Sequence, residues 1–239
     1  MRLVFPGTRG YIKFGTQQHG RHSCMLASYR KKTILVDCGE DWLGHLDELD
    51  HPDAVVITHA HPDHAWGLKN GWDRPVWATR ESWEVMARYP LPERGEMVPR
   101  VPQRIAGMTV EAFPLVHSVR APAVGLRITA GRAAIFYVPD VIWIADRDEA
   151  LRGVDLYIGD GASLERGLVR KTGDALVGHA AVSTQLGWCA HTGVKRALIT
   201  HCGSGIVRDH EAAVAVLQRL AEKRGVQASI ATDGLVVDI

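Results

Sequence analysis

The 239-residue chain is 46% apolar and 23% charged with a formal net charge of +1, the balance of a soluble globular protein able to bury a sizeable core. Its longest basic run is Arg30-Lys31-Lys32, so charge gives no strong nucleic-acid signal and neither demands nor excludes a phosphate substrate. No apolar run approaches the ~18 residues of a membrane span, Pro6 and Gly7 fall too early for a signal-peptide core, and Cys24, Cys38, Cys189 and Cys202 lack CxxC spacing, so the expectation is a cytoplasmic protein with reduced thiols.

In chain order, "RLVF", "CMLASY" and "TILVD" read as early strands, separated by the turn-rich "PGTRG" and the basic "RKK". "DWLGHLDEL" reads as a short helix with Trp42, Leu46 and Leu49 on one face. A strand "DAVVIT" leads into a histidine cluster, followed by "PVWAT", the amphipathic "RESWEVMARY" and the Pro-rich "PLPERGEMVPRVP", which should break regular structure and serve as a rim or lid. The second half restarts with strands "MTVEAFPLVH", "AVGLRIT" and "RAAIFYVP". It then alternates "DLYIG", a helix near Val182–His191, "RALIT", a helix near Asp209–Arg224 and "VQASIA". Val182, Leu186 and Cys189, and likewise Ala213, Val216 and Leu220, have the spacing of scaffold helices covering a sheet. Strands followed by β/α alternation in both halves imply two sheets with helices outside, and no linker or short repeat divides residues 1–239, so one domain is the simplest reading.

The stretch "THAHPDHAWG" concentrates the chemistry. At the end of an extended run, His59 and His61 stand two positions apart and point the same way, while Asp63 and His64 fall at a helix start. One pair of ligands from the strand end and a second pair one step on suit two adjacent cations better than one. A polar turn with Asp63 as helix cap is the bland alternative, but it has no use for three histidines in six residues.

"THAHPDH" resembles the HxHxDH signature of the metallo-β-lactamase superfamily, hydrolases with a four-layer αββα sandwich of two mixed sheets and a dinuclear site in the cleft between them. The resemblance implies three more ligands, each after a strand: His117 in "FPLVHS", Asp140 in "IFYVPD" and His201 in "ALITHCGSG". It implies that His59, His61 and His117 hold one metal, Asp63, His64 and His201 the second, and that Asp140 bridges them. Asp160 in "DLYIGDGAS" competes for the bridging role, with the order along the chain favouring Asp140. Nitrogen and oxygen ligands suit Zn²⁺ first, with Mn²⁺ or Fe²⁺ as alternatives. Asp37 in "ILVDCGE" matches a superfamily aspartate that orients the metal loop by hydrogen bonding. The superfamily's di-iron oxidoreductases carry Glu where His61 stands, which argues against redox use.

The ligand set alone does not separate β-lactam, thioester, lactone and phosphodiester cleavage. "GTRG", "ILVDCGE" and "GHAAVSTQLGWCAHTGVKRALITH" resemble the ribonuclease Z-like and cyclic-phosphate phosphodiesterase branch. There a Gly-His pair opens the helix before the final ligand strand and its His, here His179, gives a proton to the leaving alkoxide. Asp160 stands where the acidic partner of that His is expected, and these two with Asp63 form the expected catalytic set. The chain departs from ribonuclease Z in having Ala180-Ala181 after the His and no long Gly/Pro-rich arm for transfer RNA, so a small, anionic phosphodiester is the expected substrate. In the loop "GTQQHGRHS", Arg21, near His19 and His22, is a candidate for meeting that anion, against the alternative of an exposed polar loop. Trp66, Trp72 and Trp143 flank the ligands and read mainly as core or cleft-wall packing. A lactone or thioester hydrolase, with His179 idle, is the runner-up, and a non-catalytic metal-binding module the third reading. A homodimer is compatible with either enzyme.

Overall fold

A computed structural model describes residues 1–239. The chain lays down β1 (Arg2–Gly7), β2 (Cys24–Tyr29), β3 (Lys32–Val36), β4 (Ala54–Val56), β5 (Val76–Ala78) and β6 (Arg94–Glu96). There follow β7 (Gln103–Ile105), β8 (Met108–Val116), β9 (Val124–Ala130), β10 (Ala133–Val138), β11 (Trp143–Ile144) and β12 (Leu156–Asp160). A hairpin, β13 (Leu168–Thr172) and β14 (Ala175–His179), precedes β15 (Arg196–Thr200), β16 (Gln227–Ile230) and β17 (Leu235–Asp238). The helices are α1 (Pro62–Ala65), α2 (Arg80–Val85), α3 (Arg147–Ala150), α4 (Val182–Thr192), α5 (Ser204–Arg208) and α6 (His210–Glu222).

Two mixed sheets result. The first runs β17-β1-β2-β3-β4-β5-β6, antiparallel from β17 to β3 and parallel from β3 to β6. The second runs β11-β8-β9-β10-β12-β15-β16, antiparallel up to β10 and parallel beyond it, with β7 also paired to β8.

The period of two in each strand sorts side chains between layers. Ile34, Val36 and Val56 face Ile135, Tyr137, Ile158 and Leu198 in an apolar layer between the sheets. The alternate residues Leu35, Val55 and Ile57 pack outward with Leu68 and Met86 under the helices of the first half. Phe136, Val138, Tyr157 and Ile199 pack outward against Leu186 and Cys189 of α4 and Leu217 of α6. This is the αββα order: helices, sheet, sheet, helices.

Several expectations are corrected in detail. "DWLGHLDEL" forms two single 3-10 turns, Glu40–Trp42 and Leu46–Glu48, because Gly44 between them takes φ +79° and interrupts the helix. The Pro-rich segment is neither structureless nor a lid: it contains β6, which closes the first sheet's edge, and none of its residues lines the cleft. In α6 the buried stripe is Ala213, Leu217 and Ala221, with Val216 and Leu220 on its flanks. The hairpin β13–β14 and the returning strand β17 had no counterpart in the sequence reading. All four cysteines are buried free thiols, and no helix is long and apolar enough to cross a membrane.

Ile158 lies on a central strand and is fully buried in the layer between the sheets. Ile158→Ala is expected to lower the unfolding free energy by about 2–5 kcal/mol in urea titrations. Val85→Ala, at an exposed position, should change it by no more than about 0.5 kcal/mol.

Candidate metal centre

The site gathers where strands of both sheets end. Beyond β4 the chain stays extended through Thr58 and His59, and Pro62 at the first position of α1 places Asp63 and His64 in its opening turn. The residue before the helix is His61, and its side chain makes no cap hydrogen bond; Asp63 lies inside the helix and is not its cap. His117 follows β8, Asp140 follows β10 and His201 follows β15, while Asp160 ends β12 and His179 ends β14.

His59, His61 and His117 converge, with His59 Nε2 2.9 Å and His117 Nε2 3.4 Å from His61 Nδ1. The far side of each ring explains this. Thr58 directs its hydroxyl proton to Asp37, at 2.9 and 3.0 Å, so its oxygen accepts the Nδ1–H of His59 at 3.1 Å. His117 donates its Nδ1–H to the Gly178 carbonyl at 2.9 Å. Both rings therefore turn a bare Nε2 lone pair inward, as ligation requires. Burial and the neighbouring His64 push the His59 pKa well down, and burial with His117 lowers that of His61 to about 4. His61 Nδ1 carries at most one proton, so it cannot satisfy well both lone pairs turned toward it at 2.9 and 3.4 Å, whereas a cation among the three nitrogens satisfies all of them.

Asp63, His64, Asp140 and His201 form a second group, all four buried. His64 gives its Nδ1–H to Asp37 at 2.9 Å and presents Nε2 to Asp140 Oδ2 at 2.7 Å and Asp63 Oδ2 at 3.2 Å. His201 Nε2 meets Asp63 Oδ2 at 3.1 Å. Asp140 stands between the groups: Oδ2 is 3.3 Å from His59 Nε2, and Oδ1 is 3.3 Å from His201 Nδ1. Burial opposes ionisation of Asp63 and Asp140, but the surrounding imidazoles hold both carboxyls well below the usual range. His64 Nε2, Asp140 Oδ1 and His201 Nδ1 are buried without a hydrogen-bond partner. Orphaned atoms of this kind, all metal-ligand types and all facing one space, fit a divalent metal pair.

Asp160 lies behind this group. It accepts His179 Nδ1–H at 2.8 Å and the backbone N–H of Val141 and Ala162, and the Gln185 amide brackets its backbone N–H and carbonyl. Asp140 Oδ1 lies 3.1 Å from the same His179 nitrogen but receives no hydrogen bond. Burial alone lowers the His179 pKa, and the Asp160 and Asp140 carboxylates reverse that to about 11. The ring lines a cleft of about 980 Å³ together with His61, Asp63, His117, Asp140 and His201.

The family model of the Beta-lactamase superfamily domain matches residues 32–202, a span that holds every one of these side chains. The chain belongs to the beta-lactamase superfamily. Its fold is that of YhfI from Bacillus subtilis, a metallo-beta-lactamase fold protein (TM-score 0.78, 20% identity, 99% of this chain and 98% of that one). It is also that of a diphosphatase of the PhnP family (TM-score 0.71, 18% identity, 100% and 97%) and of the short form of human tRNase Z (TM-score 0.69, 18% identity, 100% and 99%). Among curated proteins it is 31% identical over 136 residues to the transcription termination factor FttA of Methanococcus maripaludis, covering 47% of this chain and 21% of that protein. The chain thus spans about a fifth of that relative's length. The chain thus carries a metallo-β-lactamase-fold domain with a candidate site for divalent metal ions.

In this superfamily member the loop after β1 takes no part in the cleft in the way expected of Arg21. Arg21 donates to the Asp41 carbonyl at 2.7 Å and to Glu48 at 2.8 Å, with its guanidinium 4.8 Å above the Trp42 ring. His19 and His22 are buried on Thr8 and Asp41, and none of the three lines the cleft. Trp66, Trp72 and Trp143 are likewise outside it. "GTRG" supports a ligand from behind, since Gly10 N–H donates to Cys202 and Cys202 N–H to Thr8, which braces the turn where His201 takes φ +51°. His179 sits at the end of a strand, with Ala180 and Ala181 between it and α4, so it does not open the helix itself. The sequence reading missed Thr58, Gln185 and Gly178. Gln185 had a legible signal: a polar residue on the stripe of Val182, Leu186 and Cys189, where an unpaired amide would be costly.

Asp37 accepts the Thr58 N–H, the Thr58 hydroxyl and the His64 Nδ1–H, three donors that need two acceptor oxygens. Asp37→Asn keeps one acceptor and turns an NH₂ toward donors. Its metal affinity is expected to fall about 10–100-fold, measured by chelator competition alongside elemental analysis. Wild-type affinity in that variant would mean that Asp37 does not orient the ligands.

Proposed function

We propose that this protein is a hydrolase, a dinuclear metal-dependent phosphodiesterase acting on a small, anionic phosphodiester, within the ribonuclease Z-like branch. In this reading His59, His61 and His117 hold one cation and Asp63, His64 and His201 the other. Asp140 bridges them, as its place between the two groups supports. Nitrogen-rich ligation favours Zn²⁺, with Mn²⁺ or Fe²⁺ able to substitute. When bound, two such cations supply Lewis acidity toward a phosphoryl oxygen and lower the pKa of an attacking water.

The observation that carries the choice of bond is His179. Its Nδ1 is fixed on buried Asp160, and its ring lies in the cleft beside the ligands, which leaves Nε2 to face substrate. An alkoxide expelled from a phosphodiester is a poor leaving group and gains most from a positioned proton donor. A lactone or thioester gains less, because its leaving group is better or stays tethered. Asp160 acts through His179 as a positioning residue, and Gln185 holds Asp160 in turn. Asp63 contributes by holding His201 and the second cation in place. The PhnP-family diphosphatase and tRNase Z share the fold, and the activities in their names agree with phosphorus–oxygen cleavage. The near-neutral net charge favours a small substrate over transfer RNA.

His179→Ala is expected to cut kcat on alkyl phosphodiesters by about 10²–10⁴-fold at full metal content. Its effect on diesters with a nitrophenol leaving group should be much smaller. A panel of phosphodiesters, lactones and thioesters tests the reading: turnover confined to lactones or thioesters, indifferent to His179→Ala, would exclude it.

A further inference from the structure

The hairpin β13–β14 pairs only with itself, outside both sheets, and its pleat sorts its residues. Leu168, Arg170 and Thr172 of one strand and Ala175, Val177 and His179 of the other line the cleft. Lys171 and Leu176 pair on the opposite face. The register sets Leu168 against His179 and Arg170 against Val177. On the cleft face Arg170 therefore stands one pleat repeat outward from His179, about 7 Å along the strand. Gly178 fixes this ruler to the metal centre, because it exchanges backbone and ring hydrogen bonds with His117. Its φ of +125°, with a Cβ position 1.8 Å from the Leu168 carbonyl oxygen, admits no side chain there.

Arg120, three residues beyond His117 in sequence, lines the same cleft. Both guanidiniums are exposed and without a carboxylate partner. Arg100, in the turn between β6 and β7, is by contrast held by Glu111, Asp146 and Glu149. Asp174 lines the cleft at the hairpin turn, beyond Thr172, and pairs with neither arginine.

We infer that Arg170, assisted by Arg120, binds a second phosphate of the substrate, carried on the leaving-group side, one pleat repeat outward from His179. The inference rests on the phosphodiesterase reading. His179 faces the leaving oxygen in that reading, so a group one pleat further out belongs to the leaving alcohol. A planar guanidinium takes a phosphate through two parallel N–H donors, and Asp174 bars the outer end of the hairpin to anions. The substrate class is a phosphodiester whose leaving alcohol is itself phosphorylated.

Calorimetry on the zinc-loaded full chain compares propane-1,3-diol bisphosphate with propyl phosphate. The expected result is about tenfold tighter binding of the bisphosphate to the wild type, a ratio reduced to about twofold or less in Arg170→Ala. Lys171→Ala, on the other face of the same strand, keeps the tenfold ratio. Equal binding of the two probes to the wild type, or an Arg170→Ala variant that retains the preference, overturns the inference. Turnover of bis(4-nitrophenyl) phosphate is measured on the same samples. Turnover without the binding preference removes the second phosphate site alone, whereas the preference without turnover of any phosphodiester removes the reading on which its leaving-group assignment rests.

Discussion

The centre depends on one buried carboxylate. Asp37 sits at the end of β3 with φ +61° and accepts directly from Thr58 and His64. Through the Thr58 hydroxyl it also governs His59. A single residue thereby fixes the proton on the outer nitrogen of two candidate ligands and turns both Nε2 atoms toward Asp140. The arrangement is rigid because each member has only one way to satisfy its hydrogen bonds in a buried site. Backbone contacts reinforce it. Cys38 donates to the His64 carbonyl, Gly67 donates to Cys38, and Gly39 lies so close to Asp63 that a Cβ there would stand 2.1 Å from its carbonyl oxygen. Protein contacts alone thus pack the loop of ligands against β3.

The topology explains why ligands so distant in sequence meet. Within each sheet the strands that deliver them share one direction: β4, parallel to β3, in the first, and β10 and β15 in the second together with β8, which the antiparallel β9 separates from β10. Parallel strands share one direction, so the residues after their carboxyl ends collect along one edge. The apolar layer between the sheets brings the two edges together, with Val36 and Val56 on one side and Tyr137, Ile158 and Leu198 on the other. His64 of the first sheet and Asp140 of the second then stand 2.7 Å apart. Packing between the sheets therefore sets distances within the centre.

The strands were legible in the sequence because each buried run is apolar and short and is bounded by turns, as in "TILVD", "IFYVPD" and "ALITH". Their ends pointed to a candidate ligand set, a His or Asp immediately after each buried strand, and the structure brings those side chains together. Less was legible where the signal is not periodic. Trp42, Leu46 and Leu49 have helical spacing, yet the backbone freedom of Gly44 splits the helix they suggest. Arg21 was the right chemical type in a nearby loop, but Asp41, Glu48 and the Trp42 face had a stronger local claim on it. Pairing between β1 and β17 links the two ends of the chain, and no local pattern announces such a contact.

The hairpin beside His179 was illegible for a physical reason that bears on specificity. Every residue of β13 is exposed, so selection for burial leaves no alternating pattern on it. Its order comes from its own ladder and from the bonds that Gly178 makes to His117, which tie its base to the metal centre. An element held at the base by a ligand and free of packing elsewhere can change its cleft-facing side chains at little cost to stability. The ligands, locked through Asp37 and the space between the sheets, cannot. In the proposed reading, bond chemistry and substrate choice belong to separate parts of the fold: the candidate ligands at the strand ends act on the phosphorus, and residues such as Arg170 on the hairpin meet what else the molecule carries.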